Sequence, residues 1–259
     1  MVCERKARPR RDSCVATREP CLRYDQDHQP FPREGALAGH MNFSLDALRS
    51  GCDSRDALVY SYVIATVDRV DDAFVQYGSG PNWQGGKVTL CTCKHSMRAF
   101  HEPTEWKGVW IAGFCGLAAG KGRNALVYLM KIGQAYESHS ELWHALPSPV
   151  RRAKSAQRSH NCLGDLYRPR RALKGAQRFD TRSYWPPCHG HSHKQGRAWH
   201  EDISFVGRGG RWAALLVGSV HHSFLWRRPM LFVQESVGRG QRKWTLTDLL
   251  MDRLSEGSP

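Results

Sequence analysis

The sequence of 259 residues lacks the short signatures of several common protein classes. No run of about 18 apolar residues is present, so no membrane-spanning helix is expected. The charged amino terminus is not followed by an apolar stretch, so we expect no secretory signal and a cytoplasmic protein. The phosphate-binding loop, the Gly-x-Ser-x-Gly elbow, the His-Glu-x-x-His motif and the paired-glycine dinucleotide fingerprint are also missing. No common enzyme class is therefore indicated by a motif.

Acidic residues are scarce relative to basic ones. The chain has 24 Asp and Glu against 38 Lys and Arg, which gives a formal net charge of +14. This excess favours an acidic partner such as nucleic acid or a nucleotide, although a basic protein without such a partner has the same composition. Hydrophobic residues make up 41% of the chain, which is enough to bury a core.

The nine cysteines include no Cys-x-x-Cys pair, and without an export signal we expect them to be reduced. In "TLCTCKHSMR", residues 89–98, Cys91 and Cys93 would lie on the same face of a strand. A structural zinc site needs four ligands, and the other half would have to come from the distant cluster "CHGHSHKQGRAWH". Small side chains packed on a strand explain the pair more simply, so no metal or other cofactor is expected; a divalent metal is the alternative.

Composition divides the chain into a tail and a folded domain. Residues 1–55 mix arginine, proline and acidic residues without periodicity, which predicts a disordered tail, with Met41 as a candidate translation start. Residues 56–259 contain short apolar runs closed by glycine: "ALVYSYVIAT", "VTLCTC", "GVWIAGFCG", "ALVYLMKIG", "EDISFVG", "RWAALLVGSV" and "PMLFVQ". These runs predict a mostly β, α+β domain whose mixed sheet curls into a barrel with short flanking helices. An arginine-rich stretch at about 148–190 predicts a long basic insertion on its surface.

The order of these motifs resembles the second of the nucleotide modification associated domains, a family met in bacteria and phages near systems that modify DNA bases. The resemblance covers about residues 57–235. Three positions depart from the family pattern: His95 replaces a proline, Val109 replaces an acidic residue, and Cys91 replaces a small residue. A weaker resemblance, at the level of the fold, is to the PUA-like barrels of the ASCH and EVE group. The positions that match the nucleotide modification associated domain are Tyr60, Tyr62, Thr89, Leu90, Cys93, Lys94, Arg98, Gly108, Trp110, Ile111, Gly113, Leu126, Val127, Tyr128, Met130, Tyr136, Trp143, Gly164, Asp165, Tyr167, His193, Asp202 and Phe224.

Both resemblances imply a protein that binds a nucleotide or a modified base, in DNA or RNA, within a base-modification or phage–host conflict system. A base needs an aromatic or apolar slot with a few polar groups at its edge, and phosphates need cations. The candidate nucleotide-binding residues are Tyr60, Tyr62, Thr89, Cys93, Lys94, Arg98, Trp110 and Tyr128. The candidate phosphate-binding residues are Arg151, Arg152, Arg168, Arg170 and Arg171.

Two other functions are compatible with the same sequence. One is an enzyme of nucleotide or base modification, which would use Asp165, His193 and Asp202 as an acid–base set or as metal ligands. The other is a scaffold subunit that works with other base-modification enzymes. In each case the expected partner is nucleic acid or a nucleotide, and no membrane is involved.

Overall fold

The computed structural model describes residues 28–52, 56–157, 161–188, 191, 199–238 and 240–257. The chain is α+β, with many strands and few, short helices, as the sequence predicts. Among the described residues no helix is long and apolar enough to cross a membrane. The strands are β1 (Leu58–Ile64), β2 (Val67–Val70), β3 (Ala73–Gln76), β4 (Thr89–Leu90), β5 (Trp110–Cys115), β6 (Leu126–Tyr136), β7 (Leu215–Leu225), β8 (Leu231–Val233), β9 (Arg242–Thr245) and β10 (Leu254–Glu256). The helices are α1 (Leu45–Gly51), α2 (His95–Arg98), α3 (His139–Ala145), α4 (Ser148–Lys154) and α5 (Trp199–Ser204), and a π-helical turn spans Asp248–Arg253.

Six strands form the central mixed sheet, in the order β4-β7-β6-β5-β1-β9. Strands β1 and β5 run parallel, and the other neighbouring pairs are antiparallel. Strands β4 and β9 occupy the two ends of this order, and within the described residues no pairing between them closes the sheet. Two small two-stranded sheets, β2 with β3 and β8 with β10, pack beside it.

Both faces of the central sheet are buried, which explains why its strands are almost continuously apolar. Strand β1 shows the alternation: Tyr60 and Tyr62 belong to the first core, whereas Val59 belongs to the second. The first core contains Trp106 and the second contains Trp110. Side chains from α1 and from the π-helical turn complete the second core.

The amino-terminal segment differs from the predicted tail, because residues 28–52 are part of the folded unit. The backbone N–H of Gln29 donates to the Gln76 carbonyl over 2.8 Å, and Leu37 is buried in the first core. Leu45 and Leu48 of α1 pack into the second core. Composition misled here, because most arginines of residues 1–55 lie before residue 28, and residues 28–52 contain only two arginines and two prolines beside several apolar side chains that anchor the segment. A chain starting at Met41 would lose two of these anchors, and residues 1–27 and 53–55 lie outside the described residues.

The stretch predicted as a surface insertion is also more deeply packed than its composition indicates. Lys154, Asp165, Tyr167 and Tyr184 are fully or almost fully buried, although most of the neighbouring arginines are exposed. The two tyrosines join Ile203 in a small core of their own. The segment therefore contributes interior residues on one side and a charged surface on the other.

Helix α5 was predicted as a strand from the run "EDISFVG". Its apolar residues Trp199 and Ile203 are four apart and both pack on the small core, which is the helical spacing. The helix brings Asp202 into the interior, where the side chain is fully buried.

A candidate acid–base site beside a basic surface

The stretch 89–98 forms the end of a strand followed by the start of a helix. Thr89 and Leu90 form β4, the backbone turns at Lys94 with a φ of 57°, and α2 begins at His95. A left-handed φ is uncommon for a residue with a Cβ, so the surrounding packing must hold this turn. The turn leaves Lys94 and His95 half-buried at the surface of the domain, a position that we call the rim.

Arg98 lies inside the protein and binds backbone carbonyls. Its Nε donates to the carbonyl of Cys93 over 2.8 Å, and Nη1 donates to those of Ala213 and Ala214 over 3.1 and 2.6 Å. The side chain is fully buried, and this burial lowers its pKa. In this position Arg98 links α2 to the segment before β7. Its buried guanidinium is therefore not available to a phosphate at the surface.

The four aromatic residues predicted to line a base slot do not share one face of the sheet. Tyr60, Tyr62 and Tyr128 lie in the first core, where the hydroxyls of Tyr62 and Tyr128 are 2.9 Å apart. Trp110 lies in the second core, stacked on Phe224 with ring centres 6.5 Å apart. All four predicted residues are fully or almost fully buried, so their rings act as core in this structure.

Cys93 and Lys94 stay closer to the surface than the tyrosines. Burial raises the pKa of the Cys93 thiol to about 11, so the thiol is neutral near pH 7 and is not an activated nucleophile. The Lys94 ammonium lies 4.7 Å from the centre of the Tyr62 ring, and partial burial lowers its pKa. Of the predicted base-binding set, Lys94 is the cation best placed to meet a ligand at the rim.

A first buried network joins Thr89 and Asp165, two of the predicted residues, to Lys154. The Lys154 ammonium donates to Thr89 Oγ1 and to the side-chain oxygen of Asn82, over 2.8 Å in each case. The Thr89 hydroxyl donates in turn to Asp165 Oδ2 over 2.7 Å. Burial lowers the pKa of Lys154 to about 8 and raises the pKa of Asp165. We call this group, which is wholly buried, the sealed network.

A second network begins at the rim and runs into the interior. His95 Nε2 lies 2.6 Å from Asp202 Oδ1, and the Tyr167 hydroxyl donates to Asp202 Oδ2 over 2.6 Å. The Tyr167 oxygen lies 2.9 Å from His191 Nε2, and His191 Nδ1 lies 2.9 Å from the carbonyl of Cys162. Only His95 reaches solvent appreciably, with 17% of its side chain exposed. We call this group the half-open network.

The hydrogen bonds around Asp202 define the donors that face its carboxyl group. The Tyr167 hydroxyl donates to Asp202 Oδ2, and the Tyr167 oxygen lies 2.9 Å from His191 Nε2. The Cys162 carbonyl can only accept, so His191 Nδ1 donates to it. A carboxylate at Asp202 has no proton to give, so the contact at Oδ1 is made by a His95 ring that donates from Nε2.

His139 packs against this network and is neutral. The backbone N–H of Tyr167 donates to His139 Nδ1 over 3.3 Å, which requires an unprotonated nitrogen. Burial lowers the pKa of His139 to about 3. The network therefore has one buried histidine that is electrostatically silent near neutral pH.

A basic surface lies on the outside of the same segment. Arg168, Arg170 and Arg171 are exposed, and Trp185 keeps 45% of its surface accessible. The Arg170 guanidinium lies 4.1 Å from the centre of the Trp185 ring, and the backbone N–H of Trp185 donates to the Arg168 carbonyl over 3.1 Å. We call these four residues the arginine–tryptophan surface.

The other two predicted phosphate-binding arginines lie on α4. Arg152 is exposed and donates to Ser148 Oγ over 2.9 Å. Arg151 is half-buried, 5.6 Å from the centre of the Trp143 ring. Arg152 is therefore exposed like the arginines around Trp185, whereas Arg151 is partly covered.

His193, the third predicted acid–base residue, lies outside the described residues. Its two companions are separated, because Asp165 belongs to the sealed network and Asp202 to the half-open one. Within the described ranges no group of three His, Cys, Asp or Glu side chains is arranged to hold a metal ion, and no disulfide joins two described cysteines.

Comparisons of this chain with protein-family models, with curated proteins and with solved structures found no match. The geometry of the chain itself must therefore carry any functional proposal. Three residues that sequence reasoning passed over as participants are central to it: His95, Lys154 and Trp185. His95 was visible only as a departure from a family pattern, and Lys154 and Trp185 were hidden within a basic, proline-containing stretch.

Proposed function

We propose that the protein binds nucleic acid through the arginine–tryptophan surface. The observation that carries this proposal is the exposed Trp185 ring with the Arg170 guanidinium 4.1 Å from its centre, flanked by exposed Arg168 and Arg171. A half-exposed tryptophan among arginines offers a flat surface for a base and cations for the adjoining phosphates.

The charge of the chain supports the same partner. A formal net charge of +14 attracts a polyanion over a long range, and arginine contacts phosphate through a planar fork of donors. Because stacking on an aromatic ring requires an unstacked base, the surface suits a single-stranded segment or a free nucleotide better than an intact duplex. Lys94, at the rim, is a further cation available to such a ligand.

The biological setting that we propose is base modification or phage–host conflict. We also propose that the fold is related to the PUA-like barrels. This part rests on the order of motifs from "YSYVIAT" to "GSVHHSF" and on a strand-rich mixed sheet with short helices. Recognition of a modified base would require a slot beside the phosphate contacts. The buried tyrosines Tyr60, Tyr62 and Tyr128 would have to open to form it, so we place the first contact at Trp185 instead.

The test is a binding titration with a fluorescently labelled single-stranded oligonucleotide at about 50 and about 200 mM salt. We expect Kd to rise with salt, and to rise about 5- to 100-fold in Trp185→Ala, as one lost base stack predicts. Replacing Arg168, Arg170 and Arg171 by alanine together should weaken binding and reduce its salt dependence.

Arg123→Ala is the matched control. The Arg123 guanidinium lies 4.3 Å from the centre of the Phe232 ring, so it makes the same kind of cation–π contact, but this ring is buried and cannot stack on a base. We expect the control to bind like the unmodified protein. Equal binding by Trp185→Ala and the unmodified protein, or equal losses in Trp185→Ala and Arg123→Ala, would contradict the proposal.

A further inference from the structure

We infer that His95 is the general base of a catalytic site that hydrolyses phosphodiesters, held in place by Asp202. The choice of a phosphodiester as substrate rests on the proposed nucleic-acid binding, whereas the base itself rests on the geometry of the half-open network. The site goes beyond binding, because a module that only recognises a nucleotide needs no oriented histidine.

The His95 ring is held on two sides. Its Nε2 lies 2.6 Å from the Asp202 carboxylate, and its face stacks on Phe205 with ring centres 5.3 Å apart and planes 28° apart. With Nε2 donating to the carboxylate, the lone pair of the neutral ring is on Nδ1. Nδ1 makes no hydrogen bond within the described ranges, and the side chain reaches solvent. An oriented lone pair at the surface is what a general base requires.

Two groups behind Asp202 favour its carboxylate form. The Tyr167 hydroxyl donates to its second oxygen. Arg98 adds a further buried positive charge that interacts with Asp202. A carboxylate supported in this way stabilises the imidazolium that forms when His95 takes a proton.

The half-open network and the arginine–tryptophan surface are built on the same short segment. Tyr167 reaches inward to Asp202, and the next residue, Arg168, points outward beside Trp185. Lys94 precedes His95 and lies at the same rim. The two groups therefore share one backbone segment, and Lys94 is a cation beside His95 for a phosphate.

The proposed step is attack of water on the phosphorus of a diester. His95 Nδ1 takes one proton from the water as its oxygen forms a bond to phosphorus. The bond from phosphorus to the departing oxygen breaks, and that oxygen receives a proton from the His95 imidazolium or from solvent. One diester and one water give one monoester and one alcohol, His95 returns to its neutral form, and no oxidant or metal ion enters the balance.

The test follows cleavage of a labelled single-stranded oligonucleotide and, separately, of bis-p-nitrophenyl phosphate by the unmodified protein and by His95→Gln. We expect His95→Gln to lose about 10²- to 10⁴-fold in kcat on both substrates, the range of general-base catalysis. Its Kd for the oligonucleotide should stay within about twofold of the unmodified value, because the arginine–tryptophan surface is intact.

His101→Gln is the matched control for His95→Gln. His101 is also a half-buried histidine, with 25% of its side chain exposed, but its Nε2 lies 2.7 Å from the Tyr60 hydroxyl, and its nearest carboxylate, Glu105, is 3.9 Å from Nδ1 and is exposed. We expect cleavage to be unchanged in this variant. Cleavage by His95→Gln at the unmodified rate, or equal losses in both variants, would overturn the assignment of the base.

Asp202 is a positioning residue in this inference, and its test needs a readout other than stability. Nitrogen-15 NMR of the imidazoles should show His95 with its proton on Nε2, and Asp202→Asn should shift it to a mixture of tautomers while kcat falls and KM holds. An unchanged His95 tautomer in Asp202→Asn would contradict the positioning role.

The two proposals fail in different ways. The protein could fail to bind the oligonucleotide and still cleave bis-p-nitrophenyl phosphate in a His95-dependent way. This result would overturn the nucleic-acid proposal and leave the assignment of His95 as the general base intact. Tight oligonucleotide binding with no cleavage of either substrate by the unmodified protein would overturn the catalytic inference and keep the binding proposal.

Discussion

The sealed network and the half-open network contain similar residue types but differ in their access to solvent. Each joins a residue of the stretch 89–98 to an aspartate contributed by a later segment: Thr89 to Asp165, and His95 to Asp202. In the sealed network the cation is Lys154, which has no exposed surface. In the half-open network His95, the member at the rim, keeps 17% of its side chain exposed.

This difference separates a structural role from a chemical one. A buried network of charged groups without access to solvent cannot exchange protons with a substrate, and removing one charged member leaves the other buried without its counter-charge. A histidine at the rim that is oriented by a carboxylate can exchange a proton with a bound ligand. We therefore assign the sealed network to the stability of the fold and the half-open network to function.

The largest expected effect comes from breaking the sealed network. Lys154→Met removes the cation and leaves Asp165 buried without it, which should lower the free energy of unfolding by about 3 to 5 kcal/mol, measured by urea denaturation. The double variant Lys154→Met, Asp165→Asn removes both charges and should recover part of that loss. A loss below about 1 kcal/mol in the single variant would show that the sealed network contributes little to stability.

An intermediate effect concerns the pH dependence of stability through His139. Its folded-state pKa of about 3 lies below the ordinary value, so between these values the unfolded state binds a proton that the folded state does not. The free energy of unfolding should therefore decrease as pH falls below about 6.5, by up to about 1.4 kcal/mol per pH unit from this residue.

The variant His139→Phe isolates this contribution. The titratable groups that act on His139 are Asp202, Arg98 and His95, and they remain in the variant. Its free energy of unfolding should change less steeply with pH between about 6.5 and 4 than that of the unmodified protein. Identical slopes in the two proteins would show that His139 is not a buried neutral imidazole.

The smallest expected effect is on stability when His95 is replaced. Gln in place of His95 keeps an N–H donor for Asp202, and Tyr167 still donates to the second carboxylate oxygen. The free energy of unfolding should therefore change by less than about 1 kcal/mol, measured as for Lys154→Met. A loss as large as that of Lys154→Met would make the two networks equivalent and remove the distinction drawn between them.

The strands of the central sheet could be predicted from the sequence because their signal is local. The run "ALVYSYVIAT" contains β1, "GVWIAGFCG" contains β5, and "ALVYLMKIG" contains most of β6. Each run is apolar on both faces of a sheet that is covered on both sides. The run "EDISFVG" failed as a strand because its acidic residues and the preceding tryptophan suit a short helix against the small core.

The packing of the amino-terminal segment and of the arginine-rich stretch could not be predicted, because it depends on few residues and on distant partners. Gln29 is held by Gln76, and Lys154 by Asn82 and Thr89. Neither residue stands out in a composition dominated by arginine and proline. A single buried side chain can decide the position of such a segment without changing its average hydrophobicity.

The candidate acid–base set was assembled from residue types alone. Asp165, His193 and Asp202 were grouped together as one set. The structure separates the two aspartates: Asp165 accepts from Thr89, which Lys154 also contacts, and Asp202 contacts His95.

By itself the sequence determined the strand-rich α+β class, the excess of positive charge and the residue types available for chemistry, since these follow from composition and local pattern. Only the tertiary structure decided which arginine turned inward, as Arg98 did, and which stayed out beside Trp185. It also decided which aspartate was sealed and which reached a histidine at the rim. Burial and pairing between residues as far apart as His95 and Asp202 set these outcomes, and no local pattern in the chain records them.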